Sequence, residues 1–200
     1  MERVIIVTGF DPFGEDTINP SWEAVKMLPD RVKNFRIVKA MLPTVAYRST
    51  DIVISLIEKV SPEYVISVGQ AGGRAAVSLE HIARNINNFR IPDNEGNIFA
   101  SSKIIEDAPL SYYSSLPIEE MKENILEHGI KCEISESAGE FVCNCLMFTL
   151  LHYIKTHALD IKSGFIHVPY IPEQTVVNGK PSMKLEEISL AIEKAIEALS

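Results

Sequence analysis

Along this chain, short runs of apolar, β-branched residues alternate with longer stretches in which apolar positions recur every three or four residues. The short runs, Val4 to Thr8, Phe35 to Leu42, Tyr64 to Gly69, Lys131 to Ser135 and Gly164 to Val168, read as strands of a sheet covered on both faces. Asn19-Pro20 predicts an N-cap with proline in the first helical turn, opening a helix through Trp22 and Val25 to Leu28, which Pro29 helps to end. Ala46 to Val60 places Val53, Ile54 and Ile57 on one helical face. Ile118, Met121, Ile125 and Leu126 do the same before Gly129 stops the helix. Phe141 to His157 predicts a largely buried helix, and Leu185, Ile188, Ile192, Ala195, Ile196 and Leu199 form the apolar stripe of a C-terminal one, with Ser182 as its cap. The middle, 73–109, is less regular: Ser78 to Asn85 has strand character and Pro92-Asp93-Asn94-Glu95-Gly96 has turn chemistry. Alternating strands and helices predict an α/β fold.

At 200 residues and 46% hydrophobic content, the chain is long enough for one substantial core. Nineteen Lys and Arg against 27 Asp and Glu leave a formal charge of −8, with no basic cluster, so neither nucleic acid nor an anionic membrane surface is expected as a partner. The apolar stretch at the N-terminus is too short for a signal sequence, and no run of about twenty apolar residues suits a membrane span. A cytoplasmic protein is expected. Three cysteines, Cys132, Cys143 and Cys145, are odd in number and two are separated by one residue, so reduced thiols are expected.

Candidate chemistry comes from a few segments. Gly9 and Gly14 have the spacing of a phosphate loop, but Glu15 and Asp16 stand where Lys and Ser or Thr would be needed. Gly69-Gln70-Ala71-Gly72-Gly73-Arg74 follows a strand yet lacks the dinucleotide fingerprint. Ser137 to Asn144 leads from a strand and a glycine turn into an apolar helix, placing Cys143 near that helix's N-terminus. There, free N–H groups and the macrodipole favour the nucleophilic thiolate. From the residues alone an inert buried cysteine is the favoured reading, since free cysteines are among the most buried residue types. Of the five histidines, His128, His152 and His157 fall on helical faces or ends. His167 instead lies near the carboxyl end of a strand, where open α/β sheets place their sites, and is the best candidate base. Cys143-x-Cys145 lacks metal-ligand spacing, so no metal site is expected. Glu80 lies in an otherwise apolar stretch, but spacing alone does not select it over other carboxylates.

Taken together, Gly9-Phe10-Asp11-Pro12-Phe13-Gly14, Asn19-Pro20-Ser21, the Gly69 to Arg74 turn, Val77-Ser78-Leu79-Glu80, Ile91-Pro92-Asp93-Asn94, Ser137 to Asn144 and Gly164 to Pro172 resemble the pyroglutamyl peptidase I (pyrrolidone-carboxylate peptidase) family of cysteine peptidases. The resemblance spans nearly the whole chain. It implies a single three-layer α/β/α domain over residues 1–200 with a mostly parallel, mixed central sheet, resembling nucleoside phosphorylases in fold. It further implies hydrolysis of the amide bond after an N-terminal pyroglutamyl residue of a peptide, with no cofactor, in a homotetramer. Position by position it implies Cys143 as nucleophile, His167 as general acid and base, and Glu80 as the partner of that histidine. Phe10, Phe13, Asn19, Gln70 and Val142 would line the substrate pocket, and the Cys143 N–H with Arg90 would face the oxyanion. His81 stands where the family usually has Lys or Arg. A nucleoside phosphorylase and a non-enzymatic binding module are the rival readings.

Overall fold

The computed structural model describes residues 2–199. The chain forms β1 (Arg3–Phe10), α1 (Pro20–Met27), β2 (Arg31–Val32), β3 (Phe35–Leu42), α2 (Arg48–Val60), β4 (Tyr64–Gln70), β5 (Val77–Glu80), β6 (Ile82–Arg84) and β7 (Ser111–Tyr113). It continues through α3 (Ile118–Glu127), β8 (Cys132–Ser135), α4 (Val142–Thr156), β9 (Lys162–Val168), α5 (Pro172–Thr175) and α6 (Leu185–Glu197). A seven-stranded sheet runs in the order β2-β3-β1-β4-β9-β5-β8, and β6 pairs with β7 in a separate antiparallel ribbon. Strands β3, β1, β4 and β9 are parallel, β2 is antiparallel to β3, and β5 is antiparallel to β9 but parallel to β8. The α/β expectation holds, with a mixed, mostly parallel sheet between helices on both faces.

Period-two alternation sends successive side chains of each central strand to opposite faces. Ile5 and Val7 of β1, Ile66 and Val68 of β4 and Ile166 and Val168 of β9 join a cluster with Val25 of α1, Ile125 of α3 and Ile192 of α6. Ile6, Phe10, Val65 and Phe165 join the other, with Val53 of α2 and Leu146 and Phe148 of α4. Burial on both faces explains why these strands read as continuous apolar runs. Among the described residues, no helix is long and apolar enough to cross a membrane.

Several boundaries differ from the sequence reading for identifiable reasons. Asn19 caps α1 as expected, its side chain accepting from Ser21 N at 3.1 Å. The helix expected from Ala46 starts at Arg48, because Ala46 N is drawn to the Asp93 carboxylate at 3.0 Å and Tyr47 takes φ 60°. Ser182 does not cap α6. It is held in a bridge with Tyr170, so the chain stays extended to Lys184, whose N–H donates to Glu187 Oε2 at 3.2 Å. The strand expected over Ser78 to Asn85 is two strands, β5 and β6, in different sheets.

The N-terminus of α1 sits directly against β1. A Cβ at Gly9 would lie 2.5 Å from Trp22 Cα and 2.6 Å from Trp22 N, closer than real Cβ contacts allow. Phe10 N donates to Ser21 Oγ at 3.0 Å beside it. Because the obstructing atoms are backbone, Gly9→Ala must displace the helix. We expect it to destabilise the fold by about 1–3 kcal/mol, seen as a lower urea midpoint with an unchanged denaturant slope.

Candidate active site

The sheet register assembles the site. Gly69 of β4 pairs with His167 of β9 in the parallel ladder, while Ser78 and Glu80 of β5 pair with His167 and Phe165 in the antiparallel one. Glu80 is therefore the diagonal, same-face neighbour of His167. Its Oε1 accepts from His167 Nδ1 at 2.7 Å and from Arg74 Nη1 at 2.7 Å. A second Arg74 nitrogen, Nη2, donates to Ser137 O at 3.1 Å. Both Glu80 and His167 are buried, and Glu80 Oε2 has no hydrogen-bond partner among the described residues. Since Glu80 Oε1 accepts from Arg74, the proton of the neutral imidazole is assigned to Nδ1, leaving Nε2 as an acceptor.

Cys143 comes from the opposite layer. It is the second residue of α4, whose first intrahelical bond joins Cys145 N to Phe141 O at 3.1 Å, so the preceding N–H groups have no intrahelical acceptor. The helix is held over the sheet by Asn144. Its Oδ1 accepts from Arg84 N at 2.9 Å, and its Nδ2 donates to Arg84 O and Ile86 O at 2.9 Å each. In this position Cys143 Sγ fills the space above Gly69: a Cβ there would lie 2.8 Å from the sulfur and 2.8 Å from the Phe165 ring. Glycine at 69 is what lets the sulfur rest beside the strand position paired with His167.

Cys143 and His167 both line a cavity of about 420 Å³ with Phe10, Phe13, Asn19 and Gln70. That volume is within the usual range for a small-molecule site. Phe13 and Phe141 form one aromatic wall, their ring centroids 5.9 Å apart, and Phe89 supports Phe141 at 4.6 Å. The two amides are fixed by neighbours. Gln70 Nε2 donates to Asp16 Oδ2 at 2.7 Å while its Oε1 accepts from Gln174 at 2.9 Å, and Asn19 Nδ2 donates to Asp11 O at 2.9 Å. Asp11 Oδ1 accepts from Thr44 N at 2.7 Å and from Asn94 Nδ2 at 3.1 Å. The Asp93 carboxylate takes N–H groups from Ala46, Glu95 and Asn97. Burial works against the charge on Asp93, yet these hydrogen bonds hold its pKa below the ordinary carboxylate value. The Gly9 to Gly14 and Ile91 to Asn94 segments are thus two sides of one network behind the cavity.

Two of the expected residues lie elsewhere. Val142 is buried in the α2 and α4 core rather than in the cavity wall, which Phe141 supplies instead. Arg90 does not line the cavity: it is exposed, following Phe89, whose ring is packed between Phe99 and Phe141. Arg74 is the guanidinium at the cavity. Its role, and those of Thr44, Phe141, Asp16 and Gln174, were not readable from spacing, because their partners are distant in sequence. His81 pairs with Glu136 at 3.0 Å and packs on Tyr113 outside the cavity. The other histidines serve local contacts: His152 with Tyr112, His128 with Asn124 O and His157 with Tyr153 O.

The resting charge state departs from the thiolate that the helix N-terminus suggests. Burial, reinforced by the Glu80 charge, pushes the Cys143 thiol up to about 12, outweighing Arg74 and the residue's own N–H. Burial also lowers the His167 pKa below 6.5, although Glu80 pulls the other way. A neutral thiol beside a neutral imidazole is the resting pair. Above pH 9.0 the unfolded chain releases the thiol proton that the folded chain keeps, so this group's contribution to stability falls as pH rises from there towards about 12. The depressed histidine acts on the acid side: below pH 6.5 the unfolded chain binds a proton sooner, and stability falls as pH drops. We expect the ultraviolet difference spectrum between wild type and Cys143→Ser to show no thiolate band from neutral pH up to pH 9.0. A band growing in at neutral pH would mean an ion pair at rest.

The family model described as pyroglutamyl peptidase matches residues 3–200. Among curated relatives, a pyrrolidone-carboxylate peptidase from Thermosipho africanus is 48% identical over 197 residues, covering 98% of this chain and 96% of the relative. One from Bacillus mycoides is 42% identical, covering 98% and 92%. The crystal structure of pyroglutamyl peptidase I from Bacillus amyloliquefaciens superposes with a TM-score of 0.96 at 43% identity, covering 100% of this chain and 97% of that one. A mutant pyrrolidone carboxyl peptidase from Pyrococcus furiosus gives a TM-score of 0.93 at 38% identity, covering 98% and 97%.

Proposed function

The chain belongs to the pyroglutamyl peptidase family and removes N-terminal pyroglutamate from peptides, and we propose that Cys143, His167 and Glu80 carry that reaction. The observation that carries the assignment is the Sγ of Cys143 resting above Gly69, next to the strand position of a histidine whose other nitrogen is tied to a buried carboxylate.

As Cys143 Sγ attacks the amide carbonyl, His167 Nε2 takes the thiol proton, so the thiolate is generated during attack. Glu80 orients the ring and balances the imidazolium that forms. The carbonyl oxygen gains negative charge at the N-terminus of α4, where the Cys143 N–H is the nearest candidate donor. Collapse of the tetrahedral intermediate breaks the C–N bond, and His167 passes its proton to the departing amine, leaving a thioester. Water then loses a proton to His167 and attacks the thioester. The thiolate leaves, recovers the proton, and free pyroglutamate is released.

The ring at the substrate's end is a neutral lactam with no ammonium group, and an apolar cavity walled by Phe10, Phe13 and Phe141 suits it. Held amides such as Gln70 and Asn19 give the lactam fixed hydrogen-bonding neighbours. A phosphorylase reading is disfavoured: Arg74 is committed to Glu80 and Ser137, and Asp16 occupies the end of the glycine-rich first loop as a hydrogen-bond acceptor. The proposal extends to a single domain over residues 1–200, a cytoplasmic setting, peptide substrates rather than nucleic acid or membrane, and assembly as a homotetramer.

Hydrolysis of a pyroglutamyl amide with a chromogenic leaving group tests the reading. Wild type should release the chromophore without a requirement for phosphate, and Cys143→Ala should lower kcat by about 10³-fold or more. Phosphate dependence, or activity that survives the substitution, would overturn it. Phe13→Ala removes one wall of the cavity at a half-buried position. It should raise KM severalfold while leaving the thermal midpoint nearly unchanged, and an unaltered kcat/KM would remove Phe13 from the binding site.

A further inference from the structure

A second cleft, of about 770 Å³, opens beside the catalytic cavity and shares Arg74, Ser137, Gly139 and Phe141 with it. Its own lining adds Arg90 and Glu140. Resting on the peptidase reading, the geometry divides the substrate between the two spaces. The ring fills the aromatic cavity, the scissile carbonyl lies at Cys143, and the residue carried by the departing amine continues across the shared wall.

The two guanidiniums of the cleft are not equally available, and the Glu140 carboxylate, bonded among the described residues only to a neutral amide, keeps its negative charge there. Arg74 donates to Glu80 and Ser137, and Glu140 Oε2 accepts from Asn88 Nδ2 at 2.9 Å. Arg90 is exposed and makes no ion pair or side-chain hydrogen bond among the described residues. In a chain of net charge −8, whose overall field repels anions, an uncommitted guanidinium at the mouth of the site is a local attraction for a carboxylate.

We infer that this cleft receives the residue following pyroglutamate, and that Arg90 there binds the C-terminal carboxylate of a pyroglutamyl dipeptide, making short, free-acid substrates preferred over their amides. Arg90 acts on substrate choice rather than on the reacting atoms.

The test compares kcat/KM for pyroglutamyl-alanine with that for pyroglutamyl-alanine amide, as a ratio within each enzyme, in wild type, Arg90→Gln and Arg90→Lys. Comparing that ratio between enzymes cancels the intrinsic difference between the two leaving amines. Arg90→Gln should lower the free-acid to amide ratio about two- to fivefold, the range of an exposed ion pair. Arg90→Lys should keep most of it, and the wild-type ratio should fall as salt is raised. An unchanged ratio in Arg90→Gln overturns the inference. So does an equal loss on both substrates, which would place the guanidinium at the reacting carbonyl instead. If wild type cleaves neither peptide, the peptidase reading itself fails, a result distinct from cleavage with an Arg90-independent ratio.

Discussion

The site depends on a close contact between a sulfur atom and a strand that has no side chain beneath it. Gly69 and His167 are paired across two parallel strands, and α4 descends on that face until Cys143 Sγ occupies the volume a Cβ at position 69 would need. The helix comes from one layer and the imidazole from another, so Cys143 and His167 share one cavity only if the sheet register and the helix-to-sheet spacing are both held. Asn144 fixes the second by bonding the first turn of α4 to the backbone at Arg84 and Ile86. Buried amide bonds of this kind restrict a helix to one docked position, since sliding it would leave several polar groups without partners.

The electrostatics follow from the same burial. Glu80 lies inside the protein with one oxygen shared between Arg74 and His167, and such a carboxylate is tolerated because a guanidinium accompanies it. Arg74 therefore stabilises the carboxylate that holds the His167 ring while also bordering the cavity. The loops from Gly9 to Gly14 and from Ile91 to Asn94 brace the far side of the cavity through Asp11, Thr44 and Asp93. A polar frame bracing an apolar cavity in this way reduces the ordering that binding must impose.

Much of the fold was legible because its strands are buried on both faces and its helices carry one apolar stripe each. The limits of β3 and the cap of α1 at Asn19 agree with the pattern. The reading failed where a tertiary partner overrides local preference, as when Asp93 draws Ala46 out of α2 or the Tyr170 bridge keeps Ser182 extended. In the site, His167 could be ranked by its place at a strand end, whereas the helix start at Cys143 does not by itself outweigh the ordinary burial of a free cysteine. Glu80 could not be singled out by spacing, because its meaning lies in a diagonal pairing 87 residues away in sequence. Val142 is flanked by Phe141 and Cys143, which do face the first cavity, an offset of one position that periodicity does not resolve, while Arg90 lines the neighbouring cleft instead.

The protonated resting sulfur also bears on durability. Peroxide and disulfide exchange act on thiolates, so a cysteine whose thiol is pushed up to about 12 presents little thiolate to oxidants at neutral pH. The half-buried Cys132, likewise pushed up to about 12, and the core Cys145 are no easier prey. The partly buried Cys143 at the cavity wall thus relies on its held proton, more than on enclosure, to stay reduced.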